Sequence, residues 1–471
     1  MNDDMCTAIR LGSSPGIGKT YISASLPFIY PQYKFIYIVN NYDLVDNLLD
    51  EFKKFGDTTI TVVKGKQRLD DDNVKLCSKP KGEEYYPGCK NCDHKDNGTC
   101  SWKNQFQISL HSQIIITTIT HLKRLGEGRM LVFDESPEDQ MMLDCNITPN
   151  LELCIICSKK ESIFCGNTKK KFTFYKKVKL HNDFIISSES EYGLSQLFNQ
   201  AKNIQRVNNN LFGLRKKFLP VVYEKLIFCC ATTPNELMCE MFDINIAFWD
   251  IYESSKFDNE NINNLMLKIK CGKSHKNSGW SKQYSGWALN TYMDKLSKGL
   301  INKNILIITK LAFKGEIKRF FPNADYVHYK KGRGINTYNK EYDLQIIYGR
   351  YGLTPVQQEK YKRLGFSEKA IKQMDSNEAL QCAHRGRAII HPETPILHMG
   401  NMELFKHIEP ISWRALDDAS EHYDDNLDNM SLVEIGIMLG QSKKSNKTKR
   451  AKEYLQARRF MNYVLMRKYE L

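Results

Sequence analysis

The sequence predicts an α/β protein of two lobes, with a cysteine-rich insertion in the first lobe and a small helical domain at the C terminus. A glycine-rich loop between an apolar stretch and a helical pattern indicates the first lobe. Apolar runs of strand length recur until about residue 400, and a basic helical pattern follows. We place the lobes at 1–240 and 241–410, the helical domain at 411–471, and insertions at 66–105 and 138–224.

Composition narrows the class of protein. The chain has 471 residues, with 68 Lys and Arg against 54 Asp and Glu, so its net charge is +14. This basic balance suggests a polyanionic partner, and 24 Tyr with 23 Phe argue against wholesale disorder. Apolar stretches such as 113–119 are far shorter than the ~20 residues that span a bilayer, and 1–12 does not resemble a secretory signal. We expect a cytoplasmic protein, or one of the host cytoplasm if a virus or plasmid encodes it, with no membrane partner.

The first element is the loop Leu11–Thr20, which reads LGSSPGIGKT. Glycines let backbone N–H groups converge on phosphate oxygens, and the following helix presents its positive N terminus to the same anion. Lys19 can reach the β- and γ-phosphates and Thr20 can ligate Mg²⁺. The alternative is a glycine turn that binds nothing. The predicted ATP-binding residues of this loop are Ser14, Gly16, Ile17, Gly18, Lys19 and Thr20.

Two carboxylates form the next element. The run Met130–Phe133 has the pattern of a buried strand, and Asp134 and Glu135 follow it directly. The carboxyl ends of strands form the ligand crevice in open α/β sheets. We assign Asp134 to Mg²⁺ through water and Glu135 to the attacking water. Without the phosphate loop upstream, a solvated strand end would be the better interpretation.

Several later segments make sense only if the enzyme has two lobes. Leu226–Pro234, Asn304–Thr309 and Leu344–Tyr348 read as strands, and Lys331–Asn336 is a glycine-rich basic loop. Gln381–Arg387 then places a Gln and two Arg within seven residues. Arginines can neutralise the charge that develops on a γ-phosphate during its transfer.

In this order, the segments resemble the motifs of the superfamily-two helicases. The matching segments, from motif I to motif VI with motif Ia second, are Ser13–Thr20 (I), Phe35–Asn40 (Ia), Asp134–Pro137 (II), Cys230–Thr232 (III), Asn304–Thr309 (IV), Gly332–Asn336 (V) and Gln381–Arg387 (VI). The resemblance implies two RecA-like lobes that clamp ATP and move along nucleic acid. It also implies nucleotide contacts by Gly334 and Asn336 and catalytic roles for Lys19, Asp134, Glu135, Gln381, Arg385 and Arg387. Compared with the family pattern of motif VI, this chain has His384 in place of Gly and Arg387 one residue early. Either Arg385 or Arg387 can therefore be the arginine that contacts the γ-phosphate.

Four cysteines lie between motifs Ia and II. Cys77, Cys89, Cys92 and Cys100 have the spacing C-x11-C-x2-C-x7-C. Four thiolates suit either tetrahedral zinc or an iron–sulfur cluster, and spacing alone does not separate the two. The position of the insertion resembles that in the XPD- and DinG-like helicases, and this resemblance implies an iron–sulfur cluster. Zinc and unligated thiols are the alternatives.

Two further segments carry positive charge. Lys169–Lys177, in the arch-like insertion, alternates basic and aromatic residues, which suits either single-stranded nucleic acid or a solvated hairpin. In the tail, Ser431–Gly440 reads as a capped helix with a C-terminal glycine. Residues 441–471 hold ten Lys or Arg against two acids, a net of +8. We expect a helix–turn–helix reader or an amphipathic pair packed on the second lobe.

Together these features predict an ATP-dependent DNA helicase that couples Mg-ATP hydrolysis to movement on single-stranded DNA and to duplex unwinding, in replication or repair. Its expected partners are single-stranded and forked DNA, with RNA not excluded, and replication proteins; we expect a monomeric motor. The alternatives are an ATP-driven translocase or remodeller without strand separation, and a nucleotide-switched DNA-binding protein.

Overall fold

A computed structural model gives the structure of the protein. It describes residues 8–11, 18–65, 68–69, 75–77, 92, 94, 97–125, 128–135, 137–147, 155–165, 170–180, 192–216, 219–220, 222–229, 238, 242, 248–251, 264–266, 294, 296–298, 300, 303–329, 341–349, 351–386, 394–399, 412–422, 430–441 and 444–466. These fall into two compact units. Unit 1 is made chiefly of residues 18–253 and 355–374, and unit 2 of 254–354 and 375–471.

The described residues contain nineteen strands. They are β1 Ala8–Leu11, β2 Phe35–Ile38, β3 Ile60–Val62, β4 Ile114–Thr117, β5 Met130–Phe133, β6 Met142–Asn146, β7 Ile155–Cys157, β8 Lys160–Cys165, β9 Lys170–Tyr175, β10 Val178–Leu180, β11 Ala201–Val207, β12 Asn210–Arg215, β13 Leu226–Phe228, β14 Phe248–Ile251, β15 Asn264–Met266, β16 Ile305–Thr309, β17 Asp325–His328, β18 Leu344–Tyr348 and β19 Ile396–Met399.

The same part of the chain forms eleven α-helices. They are α1 Lys19–Ile29, α2 Val45–Lys53, α3 Ser101–His111, α4 Glu138–Met141, α5 Tyr192–Gln200, α6 Leu311–Ile317, α7 Pro355–Arg363, α8 Glu368–Ala383, α9 Trp413–Glu421, α10 Leu432–Met438 and α11 Lys444–Met466. As far as the structure describes the chain, none of its helices is both long enough and apolar enough to cross a membrane.

The main sheet of unit 1 is parallel throughout and has the strand order β14-β1-β13-β5-β2-β4-β3. Its central strands β2, β4 and β5 are almost wholly apolar and buried, as expected of strands covered on both faces. Within this core, the Tyr37 hydroxyl donates to the carbonyl of Ser23 on α1 and so ties the helix to the sheet. The predicted first-lobe strands are therefore present, and the sheet continues to Ile251.

A second sheet in unit 1 lies in the predicted insertion. It is antiparallel, with the order β6-β12-β11-β9-β8. One face packs against α5 and the β7–β10 ribbon through an apolar cluster that includes Leu194, Leu197 and Leu211. The opposite face contains the rings of Phe174 and Phe212 beside charged and polar side chains, and it contacts α7, which lies far downstream in the sequence.

The contacts of α7 involve all five strands. Lys360 lies over the Phe212 ring and donates to Asn210 Oδ1 at 2.5 Å, and its ammonium is 3.5 Å from Asp144. Arg363 pairs with Glu161 of β8 at 2.5 Å and lies over the Phe174 ring of β9. A further bond runs from Gln205 of β11 to the Arg363 carbonyl. The insertion sheet is thus covered on this face by a helix that lies, in the sequence, beyond strands of the other unit.

Unit 2 is built on a parallel sheet with the order β15-β19-β18-β16-β17. The strands expected at Asn304–Thr309 and Leu344–Tyr348 are β16 and β18, and both are entirely buried. One face of this sheet shares a single apolar cluster with α9, α10 and α11, through residues such as Ala415, Ile435 and Tyr454. The two parallel sheets confirm the predicted α/β class with RecA-like lobes.

Candidate active site

Lys19 and Thr20, which end the predicted phosphate loop, lie beside Asp134, the first of the two carboxylates. The loop follows β1 and the carboxylates follow β5, and these parallel strands are separated only by β13. Two strand spacings place the ends of β1 and β5 about 10 Å apart, which leaves room for a phosphate group between them. Gly18 adopts φ 88°, a conformation that favours glycine, and caps α1 so that Lys19 and Thr20 form its first turn. Ser14, Gly16 and Ile17 lie outside the described residues.

Asp134 is held against the start of α1. Burial raises the pKa of its carboxyl, while a hydrogen bond from the Thr20 hydroxyl and the positive charge of Lys19 act in the opposite direction. Its Oδ1 is buried and has no hydrogen-bond partner among the described residues. A buried carboxylate oxygen without a donor costs free energy unless a cation or proton compensates it. Thr20 and Asp134 therefore fit the predicted Mg²⁺, which they would hold as hard oxygen ligands.

Glu135 is oriented by the end of the neighbouring strand. The Asn40 side-chain amide donates to Glu135 Oε2 at 3.5 Å. Gln140 in α4 in turn donates to the carbonyls of Asn40, at 2.6 Å, and Val39, at 3.0 Å. Asn40 is the last residue of the segment that resembles motif Ia, but neither it nor Gln140 was predicted to orient a carboxylate. A polar residue directly after a buried strand was the available signal for Asn40, whereas Gln140 gave none.

In unit 2, the structure describes Gln381 and Arg385 of the predicted motif VI. Helix α8 ends at Ala383 and a 3₁₀ turn, His384–Gly386, follows. The buried amide of Gln345 on β18 donates to the Ala383 carbonyl at 2.6 Å and so fixes the end of the helix. Arg385 Nε is buried with no hydrogen-bond partner among the described residues. Arg387, Gly334 and Asn336 lie outside the described residues.

The predicted cysteine cluster is described only in part. Cys77, Cys92 and Cys100 are half-buried and form no disulfide among the described residues, and Cys89 lies outside the described residues. Among the residues that can be described, no three His, Cys, Asp or Glu side chains are grouped as metal ligands.

The aromatic side chains of the basic insertion segment contact the protein itself. Phe174 is buried under Arg363, and Arg206 lies 4.8 Å from the ring centre of Tyr175. Elsewhere in unit 1, the hydroxyl of Thr117 is buried and donates to the Val63 carbonyl. Phe174 is therefore not available to stack on bases.

A comparison with known protein families supports the interpretation of residues 7–144, which contain the predicted phosphate loop and the two carboxylates. Residues 7–144 match the family described as type III restriction enzyme, res subunit. That range begins just before β1 and ends in β6, and it contains Lys19, Thr20, Asp134 and Glu135. Among curated proteins, none matches this chain.

Several solved structures resemble the chain at low identity. S. tokodaii Xpd4 is 9% identical with a TM-score of 0.45 (88% of this chain, 94% of that one), and a structure titled XPD helicase is 11% identical with a TM-score of 0.49 (83% and 92%). S. cerevisiae Dbp5 bound to RNA and ADP-BeF₃ is 11% identical with a TM-score of 0.41 (89% and 88%). These likenesses add nothing to the assignment of the site, which rests on the strand order, the side-chain contacts and the family match.

The parallel order β1-β13-β5 places a loop lysine, a helix-capping glycine and two carboxylates at one edge of the sheet. The family match covers the same residues. Residues 7–144 are thus similar to the family described as type III restriction enzyme, res subunit, and they contain the lysine and the two carboxylates that the sequence predicts for the superfamily-two motifs I and II.

Proposed function

We propose that the protein is an ATP-dependent DNA helicase that uses the hydrolysis of Mg-ATP to move on single-stranded DNA and to separate duplex strands. One observation carries the proposal. The buried Asp134 carboxylate accepts a hydrogen bond from Thr20 and interacts electrostatically with the positive charge of Lys19. One of its oxygens has no hydrogen-bond donor among the described residues. A site for a cation next to a phosphate loop suits nucleoside triphosphate hydrolysis.

Each residue at the sheet edge has a distinct part in the proposed reaction. Lys19 binds the β- and γ-phosphates and so places the γ-phosphorus. Glu135, oriented by Asn40, accepts a proton from water as the water oxygen bonds to the γ-phosphorus and the bond to the β-phosphate oxygen breaks. ADP and inorganic phosphate leave. Bound Mg²⁺, held by Thr20 and Asp134, would neutralise negative charge on the phosphates.

The first test measures ATP turnover with and without single-stranded DNA. We expect DNA to stimulate turnover, and we expect Lys19→Ala and Glu135→Gln to lower it by about a hundredfold or more, the scale for losing a group that acts in the transition state. Asp50→Asn is the control, because Asp50 is an exposed carboxylate of the same unit, paired with Lys53. Turnover that ignores DNA, or that survives Glu135→Gln, would refute the proposal.

The arginine of the proposed reaction is Arg385 or Arg387. An arginine that stabilises the transferring phosphoryl group contributes roughly 10³–10⁵ to the rate. We therefore expect one of Arg385→Ala and Arg387→Ala to lower ATP turnover far more than the other, while binding of a labelled ATP analogue persists. Full turnover in both variants would remove motif VI from the mechanism.

A displacement assay distinguishes helicase from translocase. A forked substrate with a labelled strand reports unwinding, and a single strand carrying a bound streptavidin reports movement alone. We expect both signals in the wild-type protein. Streptavidin displacement without fork opening would favour a translocase or remodeller that does not separate strands.

A further inference from the structure

The C-terminal helices α10 and α11 are joined by a tightly specified glycine turn. The hydroxyl of Ser431 accepts from the Glu434 amide while the Glu434 carboxylate accepts from the Ser431 amide, so α10 starts at a complete capping box. At the other end, Gly440 has φ 72° and donates to Ile437, and Gln441 donates to Gly436. This is a Schellman ending, which turns the chain sharply out of the helix.

The two helices pack without a side chain between them. A Cβ on Gly436 would lie 2.5 Å from the backbone of Lys447, a distance that no folded protein tolerates. Only glycine permits this approach of α10 to the N-terminal part of α11. A short helix, a glycine turn and a second helix in close contact are the parts of a helix–turn–helix.

The apolar face of α11 is already occupied. Ala451, Tyr454, Ala457 and Phe460 belong to the cluster shared with the second parallel sheet. A membrane surface therefore cannot use this face, although basic amphipathic helices often bind membranes.

The acidic side chains near α11, Glu453 and Asp418, are engaged in contacts within the protein. Glu453 of α11 accepts hydrogen bonds from the Ser412 amide and hydroxyl at the start of α9. Asp418 of α9 pairs with Arg450, and both side chains are nearly buried. These acids consequently do not neutralise the outward face of α11.

Every exposed side chain on the described part of that outward face is basic. Between residues 447 and 460, the part of α11 with described side chains, the exposed positions are Lys449, Lys452 and Arg459. At 100° per residue these three, with the half-exposed Gln456 among them, lie within an arc of about 80° and extend for about 15 Å along the helix. We call these four residues the basic stripe.

We propose that the basic stripe binds double-stranded DNA, with α11 lying in the major groove. The major groove of B-form DNA is wide enough for an α-helix, whereas the deep, narrow major groove of A-form RNA is not. Lys, Gln and Arg are the side chains that contact phosphates and base edges there. The stripe has no aromatic residue for stacking, which argues against single-stranded nucleic acid as its ligand. This duplex site is distinct from the ATP site and would tether the enzyme beside the strands on which it acts.

The test is equilibrium binding of the full chain to a blunt 24-base-pair DNA duplex, measured by fluorescence anisotropy without nucleotide over a range of salt concentrations. We expect the triple variant Lys449→Ala, Lys452→Ala, Arg459→Ala to bind at least tenfold more weakly. Because each lost phosphate contact changes the slope of log K against log salt by about 0.9, we expect the slope to fall by roughly two to three.

The matched control is Lys298→Ala, Lys318→Ala, Arg319→Ala, which removes the same charge from exposed positions of the same unit. Equal weakening in the control, unchanged binding in the stripe variant, or equally tight wild-type binding to an RNA duplex of the same sequence would each overturn the proposal. Turnover of ATP on single-stranded DNA should be unaffected by the stripe variant. The binding assay uses no ATP, so it stands even if the proposed helicase activity fails.

Discussion

Asp134 is a carboxylate that the fold buries at the end of β5, beside the Thr20 hydroxyl. Its burial is costly to folding, because desolvation disfavours the charged form and raises the pKa. The same burial leaves an oxygen that a cation can use. Functional sites often keep such groups at the expense of stability, because the interaction that compensates them arrives with the ligand.

We predict opposite effects of Asp134→Asn on stability and on activity. The amide can still accept from Thr20 but carries no charge, so the melting temperature of the protein without nucleotide should rise at neutral pH. Turnover of ATP should fall by about a hundredfold or more. Differential scanning fluorimetry and a phosphate-release assay measure the two effects.

The pH dependence follows from the sign of the pKa shift. In the folded protein the Asp134 carboxyl binds a proton more readily than in the unfolded chain, so its charge destabilises the fold above the folded pKa, and this cost disappears as the pH falls toward 3.8. The melting-temperature advantage of Asp134→Asn should therefore shrink in acid. Mg²⁺ with ATP should stabilise the wild type far more than the variant. Equal stabilisation of both would contradict the cation role.

At the scale of elements, α7 connects distant parts of the sequence. Its Lys360 reaches Asp144 and Asn210, which precede it by more than a hundred residues. The interface is polar: burial lowers the pKa of Lys360, and Glu161 and Glu359 both pair with Arg363. Polar interfaces with nearly buried charges stabilise little overall, yet they are sensitive to the loss of one partner.

We predict that Arg363→Ala destabilises unit 1 by about 2 kcal/mol, because Glu161 and Glu359 lose a charged donor and Phe174 loses its cover. Lys362→Ala is the control, since Lys362 is the next residue and its ion pair with Glu368 is exposed. The control should change stability by no more than about 0.5 kcal/mol. Urea unfolding monitors stability, and limited proteolysis should cut the insertion of Arg363→Ala first. Identical behaviour of the two variants would show that α7 does not hold the insertion sheet.

At the scale of the whole molecule, the cysteine insertion raises the question of a metal. Three of its four thiols lie in described residues and none of them is deeply buried. Clustered thiols can hold zinc or an iron–sulfur cluster. Because a centre held by four residues from a polar segment would order that segment, its presence would affect folding as well as chemistry.

We predict that protein purified without oxygen contains iron and absorbs visible light near the blue end of the spectrum. Cys92→Ser should lower the metal content and the absorbance together. Cys382→Ser is the control, because Cys382 is buried in the core of unit 2. Zinc with no visible absorbance would exclude the iron–sulfur cluster, and absence of both metals would exclude any resident metal centre.

Local signals in the sequence determined much of the secondary structure of this protein. Buried strands such as β16 and β18, the capped α10 with Gly440 and the phosphate loop before α1 were all predicted, since strand periodicity, caps and positive-φ glycines act within a few residues. The association of Lys19 with Asp134 was also anticipated, because parallel strands end at a common edge.

Only the tertiary structure decided which segments become neighbours. The residues of β13 do not by themselves indicate that it lies between β1 and β5, and those around Asn40 do not indicate a contact with Glu135. The sequence of α7 likewise does not predict that it packs on a sheet whose residues lie up to 216 positions earlier. The aromatic residues of the insertion likewise look the same in sequence whether they face bases or Arg363. Such contacts depend on how whole surfaces pack together. The free energy of that packing is distributed over many residues, so no single segment of the sequence determines it.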